Sequence, residues 1–357
     1  MLFDIRPKRR RKDLYNFDEE YRKLTSSLGK PLIVVRGLRR TGKTSLILTA
    51  LEESKVPYIL FDLRGYYKSR KELYESLSRG ITDFMRRSSL KKRVLDLLRS
   101  ALMTLRGVSI HGVNVSLSWG RSRASLIDLF RGLDYFALKS GLKVIIVFDE
   151  VQKLSGPLKV EVCDAISYAF DYMEGLSFIL SGSEMGVLYG LLNNPQSSLY
   201  GRAYIEVVTR RLMRDESLDF LRKGFSELGI NVSDDELVYV VDKLNGIIGW
   251  LTYYGYLRSH GYVDVNEILK KAVEMAKQEL MNFINYRVSR RYKLILKALA
   301  QGIKEWRELK RYIEKAEGRE VSNRVIHDII HQLIKHSIID NELNFMDQVL
   351  REAALAL

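Results

Sequence analysis

Five short runs along this chain are apolar on consecutive positions and rich in β-branched residues: 31–36 (PLIVVR), 57–62 (PYILFD), 143–148 (KVIIVF), 176–180 (LSFIL) and 203–208 (AYIEVV). Such runs predict strands covered on both faces. Between them the apolar positions recur at helical spacing, near 45–53, 71–106, 124–138 and 158–174, and a short helix with Asp18 as N-cap and Tyr21 and Leu24 on its apolar stripe precedes the first run. Strands separated by helices indicate βαβ units and a mostly parallel sheet. Residues 108–118 (VSIHGVNVSLS) alternate apolar and polar around Gly112, a hairpin pattern.

After 208 the character changes. Residues 211–285 read as helices, with one strand-like run at 262–265, and 290–357 read as helices at 290–300, 304–316 and 322–336 followed by an apolar stretch, 338–345, broken by Asp340-Asn341-Glu342. Three helices and a hairpin make a winged helix-turn-helix pattern. The expected organisation is a basic arm at 1–13, an α/β core at 14–208, a helical lid at 209–285 and a winged helix at 286–357.

Charge sharpens this. The 357 residues carry 58 Lys+Arg against 44 Asp+Glu, a net charge of +14, which favours an acidic partner such as nucleic acid or nucleotide. Residues 6–12 (RPKRRRK) hold six cations, and 86–106 hold seven against one acid; both are expected to bind anions rather than pack. A single cysteine, Cys163, on an apolar helix stripe, excludes an internal disulfide framework and a thiolate-rich metal site. No apolar run approaches the ~18 residues of a membrane span, and the start MLFDIRPKRRRK lacks a secretory apolar stretch, so the expected location is cytoplasmic, with no membrane partner.

The chemistry begins at Gly37-Leu38-Arg39-Arg40-Thr41-Gly42-Lys43-Thr44, which matches G-x4-G-K-[ST] between a buried strand and a helix, the context that separates a P-loop from a chance glycine turn. Gly37 and Gly42 let backbone N–H groups turn inward to phosphate, Lys43 places charge on the β- and γ-phosphates, and the Thr44 hydroxyl is suited to Mg²⁺. The expected ATP-contacting set is Gly37, Arg39, Arg40, Thr41, Gly42, Lys43, Thr44 and Ser45. The strand at 143–148 ends in Asp149-Glu150. Asp149 is expected to join Thr44 in holding Mg²⁺ and Glu150 to deprotonate the attacking water. Ser181 or Ser183, closing the strand at 176–180, is placed to contact the γ-phosphate or the water, and Arg202 is a candidate cation for the transition state, at its own chain's nucleotide or at a neighbouring subunit's.

With Asn16-Phe17-Asp18-Glu19-Glu20, Gly37-x-Arg39-Arg40-x-Gly42-Lys43-Thr44, Asp149-Glu150-Val151-Gln152, Ser181-Gly182-Ser183, Leu199-Tyr200-Gly201-Arg202 and Phe345-Met346-Asp347, the chain resembles the archaeal ATPase family of AAA+ and STAND-type P-loop NTPases over nearly its whole length. The resemblance implies an ATPase core, a helical lid and a C-terminal winged helix, and it favours a nucleotide role for Arg202. Two departures stand out: family members often carry Gly-x-Pro in the lid where this chain has Asn245-Gly246-Ile247-Ile248, and the C-terminal Asp-Pro is Asp347-Gln348.

His327-Asp328-Ile329-Ile330-His331 mimics a zinc-protease motif, but Asp replaces Glu and no third ligand follows. The same helix offers Asn323, Arg324, His327, Asp328, His331 and Lys335 as a polar face that fits a major groove or a protein surface. Trp250, Tyr253 and Tyr254 are expected to pack the lid. The leading expectation is an ATP-hydrolysing switch coupled through the winged helix to double-stranded DNA or a protein, with an oligomer compatible. The alternative is an ATP-gated DNA-binding regulator with little turnover.

Overall fold

The computed structural model describes residues 1–65, 69–87, 91–285, 287 and 289–357. Five parallel strands, β1 (Leu32–Arg36), β2 (Tyr58–Asp62), β5 (Val144–Asp149), β6 (Leu176–Gly182) and β7 (Ile205–Val208), form one sheet in the order β2-β5-β6-β1-β7. They are apolar on both faces because both faces are covered. Ile33 and Val35 of β1 pack with Leu46, Ile47, Ala50 and Leu51 of α2 (Lys43–Glu53) and Leu24 of α1 (Asp18–Ser27). Their neighbours Leu32 and Val34 turn to the opposite core, shared with α3 (Arg70–Arg87), α4 (Lys92–Met103), α5 (Leu126–Ser140) and α6 (Gly156–Tyr172). Consecutive residues of one strand thus feed two cores.

Asp18 opens α1 in its first turn, and the N-cap position belongs to Phe17, whose ring is buried. The hairpin is present as β3 (Val108–His111) and β4 (Asn114–Leu117), antiparallel. The expectation for 86–106 needs correction. α4 buries Leu98, Ala101 and Leu102 in the core and turns its cations outward, so the segment packs as an amphipathic helix; residues 88–90 lie outside the described ones.

The arm at 1–13 is likewise tied down. Leu2 and Phe3 are buried in the lid's core, where the absence of a side chain at Gly224 and Gly255 makes room for the Phe3 ring. Lys8 Nζ then donates to the carbonyls of Met1, Leu2 and Asp4, and Arg9 pairs with Glu52 at 2.7 Å. Two apolar residues ahead of the charge run anchor what composition alone presents as a solvated tail.

A short helix, α7 (Met185–Leu192), follows β6 and was not expected. The lid comprises α8 (Arg214–Glu227), α9 (Asp234–Leu244), α10 (Ile248–Ser259) and α11 (Val265–Asn285). The strand-like run at 262–265 is a connection into α11 with Val263 exposed; four residues with no pairing neighbour make no strand. The winged helix has α12 (Arg291–Ala300), α13 (Trp306–Glu317), α14 (Asn323–Lys335), a bridge between Ile339 and Phe345, and a further helix, α15 (Gln348–Leu355), that packs on α11. Lid and winged helix share one continuous hydrophobic core.

Candidate nucleotide site

Strand register brings the chemistry to one edge. Asp62 aligns with Asp149, Phe148 with Leu180, and Arg36 with both Gly182 and Val208, so the loops after β1, β5 and β6 leave the sheet side by side. Gly42 sits at φ 88°, a left-handed conformation that costs glycine nothing, and opens α2 directly at Lys43. The N-terminus of that eleven-residue helix aims its free N–H groups at the loop.

Lys43 is buried, and its ammonium donates to the carbonyls of Gly37 at 3.0 Å and Leu38 at 2.8 Å, 4.0 Å from a Glu150 oxygen. Burial lowers its pKa, opposed by the two carboxylates. Thr44 Oγ1 donates to Asp149 Oδ2 at 2.9 Å, and Ser181 donates to the other Asp149 oxygen. Burial raises the pKa of Asp149, and the Glu150 charge adds to it against the hydrogen bonds from Ser181 and Thr44. A buried carboxylate beside a threonine hydroxyl is an oxygen pair that fits a hard divalent cation.

Glu150 has φ 58° and ψ 45°, a left-handed backbone that costs a non-glycine residue roughly 1–3 kcal/mol and is held by its surroundings. Its amide donates to Ser181 Oγ at 3.2 Å, while its carboxylate accepts from Ser183 Oγ at 2.6 Å and from the Gln152 amide. Gln152 also donates to Ser183, and its own oxygen is buried with no partner among the described residues. Both candidate serines are therefore engaged, Ser181 with Asp149 and Ser183 with Glu150.

Other expected members lie elsewhere. Thr41 Oγ1 is spent on Leu38 O and Thr209 Oγ1, each at 2.7 Å, and Ser45 Oγ accepts from the Lys8 amide at 3.1 Å. The side chains of Arg39 and Arg40 turn to the lid. Arg40 forks onto Glu279 of α11 and lies 3.9 Å from the ring centre of Trp250, and Arg39 is 3.4 Å from Glu279. The Arg40 side chain is committed to these lid partners, while Arg39 remains largely exposed. Arg202 requires the largest correction. It precedes β7, whose first residue Ile205 aligns with Ile33, so it lies at the entry end of the strands, opposite the P-loop. There it pairs with Asp171 in the last turn of α6 and with the Ser198 carbonyl. The 183–202 segment does not fold back over the nucleotide side, since α7 carries it along the sheet.

The family model of an ATPase domain found predominantly in Archaea matches residues 18–253. The chain belongs to this archaeal ATPase family. A Walker-type ATPase of Pyrococcus abyssi is 32% identical to it, with 99% of each chain covered and a TM-score of 0.80. The model of the MCM protein C-terminal winged helix-turn-helix domain matches residues 287–344 of the ATPase. Its fold is shared at lower identity by Cdc6p from Pyrobaculum aerophilum (14% identical, 99% of this chain and 96% of that one, TM-score 0.50) and by the ORC2 protein of Aeropyrum pernix in its ADP form (15% identical, 95% and 90%, TM-score 0.51). A search of curated proteins finds no match. The chain is thus a P-loop ATPase by family, with a winged-helix domain.

Three residues of the ATPase site escaped the sequence reading. Gln152 stood in the quoted motif without a role, although its spacing of two from Glu150 puts both in one turn. Arg64, just past β2, pairs with Asp62 beside Asp149 and follows no motif. Glu184, next after Ser183, meets the winged helix through His336 at 2.5 Å and pairs with Lys153 of its own core at 2.5 Å. No cluster of three or more His, Cys, Asp or Glu able to hold a metal occurs among the described residues.

Proposed function

We propose that this ATPase binds ATP with Mg²⁺, hydrolyses it with Glu150 as the base, and transmits the nucleotide state to its winged helix, which contacts duplex DNA. The observation that carries the reading is the convergence of Lys43, Thr44, Asp149 and Glu150 on one edge, with Thr44 and Asp149 already hydrogen-bonded at 2.9 Å. Thr44 and Asp149 would hold Mg²⁺, which supplies charge neutralisation on the β- and γ-phosphate oxygens. Lys43 exchanges its two loop carbonyls for phosphate oxygens. Glu150 accepts the proton of the attacking water once its carboxylate is freed from Ser183 and Gln152. Ser181 orients Asp149.

Two routes support coupling to the winged helix. Arg40 of the P-loop meets Trp250 and Glu279 in the lid, and Trp250 Nε1 donates to buried Asp347 Oδ2 at 2.8 Å. Separately, Glu184 follows the serine pair and reaches His336 at the end of α14. Asn323, Arg324, His327, Asp328 and His331 remain exposed on α14, as groove contact requires.

The alternative, a regulator with little turnover, is favoured by one feature: both hydrogen bonds on Glu150 Oε2 hold the base in place against action on water. ATP binding and turnover, with and without duplex DNA, decide between them. Lys43→Ala should abolish tight ATP binding. Glu150→Gln should keep binding and lower turnover roughly a hundredfold or more. Wild-type turnover in Glu150→Gln removes Glu150 as the base, and negligible turnover in the wild type favours the regulator.

A further inference from the structure

Where the start of α3 meets the segment between β4 and α5 lies a cationic cleft. Its volume is about 360 Å³, and it is lined by Ser69, Arg70, Lys71, Trp119, Gly120, Arg121 and Arg123. Trp119 is 49% exposed, unusual for the largest apolar side chain. Its loop is firmly built. Ser118 N donates to Gly107 O at 2.7 Å, Arg123 N closes a turn on Gly120 O at 3.2 Å, and the buried Tyr74 hydroxyl ties down Ala124 O at 2.9 Å. The ring is therefore held out by a fixed loop.

The charges around the ring are unequal. Arg70 is neutralised by Glu161 at 2.9 Å, and Lys71, 5.8 Å from the Trp119 ring centre, shares Glu75 at 3.9 Å. Among the described residues no carboxylate pairs with Arg121 or Arg123, and Arg123 Nε is buried without a partner. Arg106 joins the group through Ser122 Oγ at 3.5 Å. The chain thus places an exposed indole among surplus guanidinium groups on a rigid loop.

We propose that this cleft binds single-stranded nucleic acid, with one base stacked on Trp119 and the flanking phosphates on Arg121, Arg123 and Lys71. An aromatic face with cations beside it matches the two features of a strand without pairing partners, an open base and a charged backbone. A duplex offers its phosphates but keeps its bases stacked, so it would use the cations and leave the ring idle. An acidic peptide would also use the cations alone. The site is separate from the P-loop and stands independently of the ATPase reading.

The test is fluorescence anisotropy of labelled thymidylate and uridylate oligomers of about 15 nucleotides on the full chain, titrated over salt, with duplex DNA and polyglutamate as competitors. Trp119→Ala should weaken oligomer binding about tenfold or more, and Trp119→Phe should restore most of it. Arg121→Gln should reduce the slope of log affinity against log salt by about 0.7. ATP turnover should match the wild type in all three variants, and duplex binding should match it in Trp119→Ala, with circular dichroism confirming the fold. The thymidylate and uridylate arms tell DNA from RNA. Oligomer affinity in Trp119→Ala within about twofold of wild type, below the stacking contribution of a single base, overturns the proposal. So does an equal loss of duplex binding, or displacement by polyglutamate in a Trp119-dependent manner, which would assign the cleft to a protein.

Discussion

The winged helix meets the rest of the molecule in two ways. Against the lid it shares a hydrophobic core, α15 on α11, closed by the Trp250–Asp347 hydrogen bond between two fully buried groups. Against the ATPase core it rests on the end of α14: His336 on Glu184, with Ser337 Oγ accepting from the Met185 amide at 2.9 Å and Lys335 backbone lying close over Gly186. The first contact is apolar and desolvated, the second polar and partly wet. Separating lid from winged helix would expose a shared apolar core, whereas separating winged helix from the ATPase core breaks a few polar contacts around Glu184.

Breaking the first contact should cost most. Asp347 caps α15 through the Val349 amide and accepts from Trp250, and burial raises its pKa against those bonds. Asp347→Ala loses a cap, about 1 kcal/mol, and strands a buried indole N–H, about 1–3 kcal/mol more. Denaturant unfolding should show roughly 2–4 kcal/mol of lost stability. Asp347→Asn keeps one of the two acceptor oxygens, turns an NH2 onto the other donor and removes a charge that burial disfavours, so it should lose less than Asp347→Ala. Equal losses in the two variants would show that the carboxylate charge, not the acceptor oxygen, matters.

The second contact should cost less and depend on pH. Burial pushes the Glu184 carboxyl up, but His336 and Lys153 more than offset it, leaving the pKa below its ordinary 4.5. A carboxylate lowered on folding stabilises above its unfolded pKa, and that contribution is lost as pH falls through the folded value. Glu184→Gln should therefore destabilise by about 1–3 kcal/mol at neutral pH, and its unfolding curve should converge on the wild type in acid, as the wild-type carboxylate is protonated below its ordinary range. A constant gap down to acid pH would mean that Glu184 contributes by packing alone.

The smallest effect should come from Arg202. Paired with Asp171 at the entry end of the strands, it should lose less than about 1 kcal/mol of stability on Arg202→Ala and change turnover less than about twofold. A large fall in kcat, rescued by mixing with Lys43→Ala protein, would instead place Arg202 in a neighbouring subunit's site.

These contrasts also explain what was legible in the sequence. The strands, the P-loop, Asp149-Glu150 and the two serines were readable because each carries its chemistry in residue type and short spacing, and a strand's C-terminal end fixes where it goes. The direction of the Arg40 side chain was not legible because its partner Glu279 lies 239 positions away and no local pattern announces it. Arg202 misleads for the converse reason: the resemblance draws it to a nucleotide, but a residue just before a parallel strand starts on the edge of the sheet opposite the P-loop of its own chain. The amphipathic helix α4 was masked by counting charge without asking which face bore it. Leu2 and Phe3 were overlooked because two apolar residues ahead of a basic run carry no periodicity.

Those two residues set a mechanical limit. Phe3 is locked in the lid, while Lys8, five residues on, is hydrogen-bonded to Ser45 in the first turn of α2. A fully extended chain advances at most about 3.6 Å per residue, so this tether reaches roughly 18 Å. However far the hinge between core and lid turns, the end of the lid that holds Phe3 stays within that leash unless one of its two moorings lets go. The amino terminus therefore acts as a travel stop.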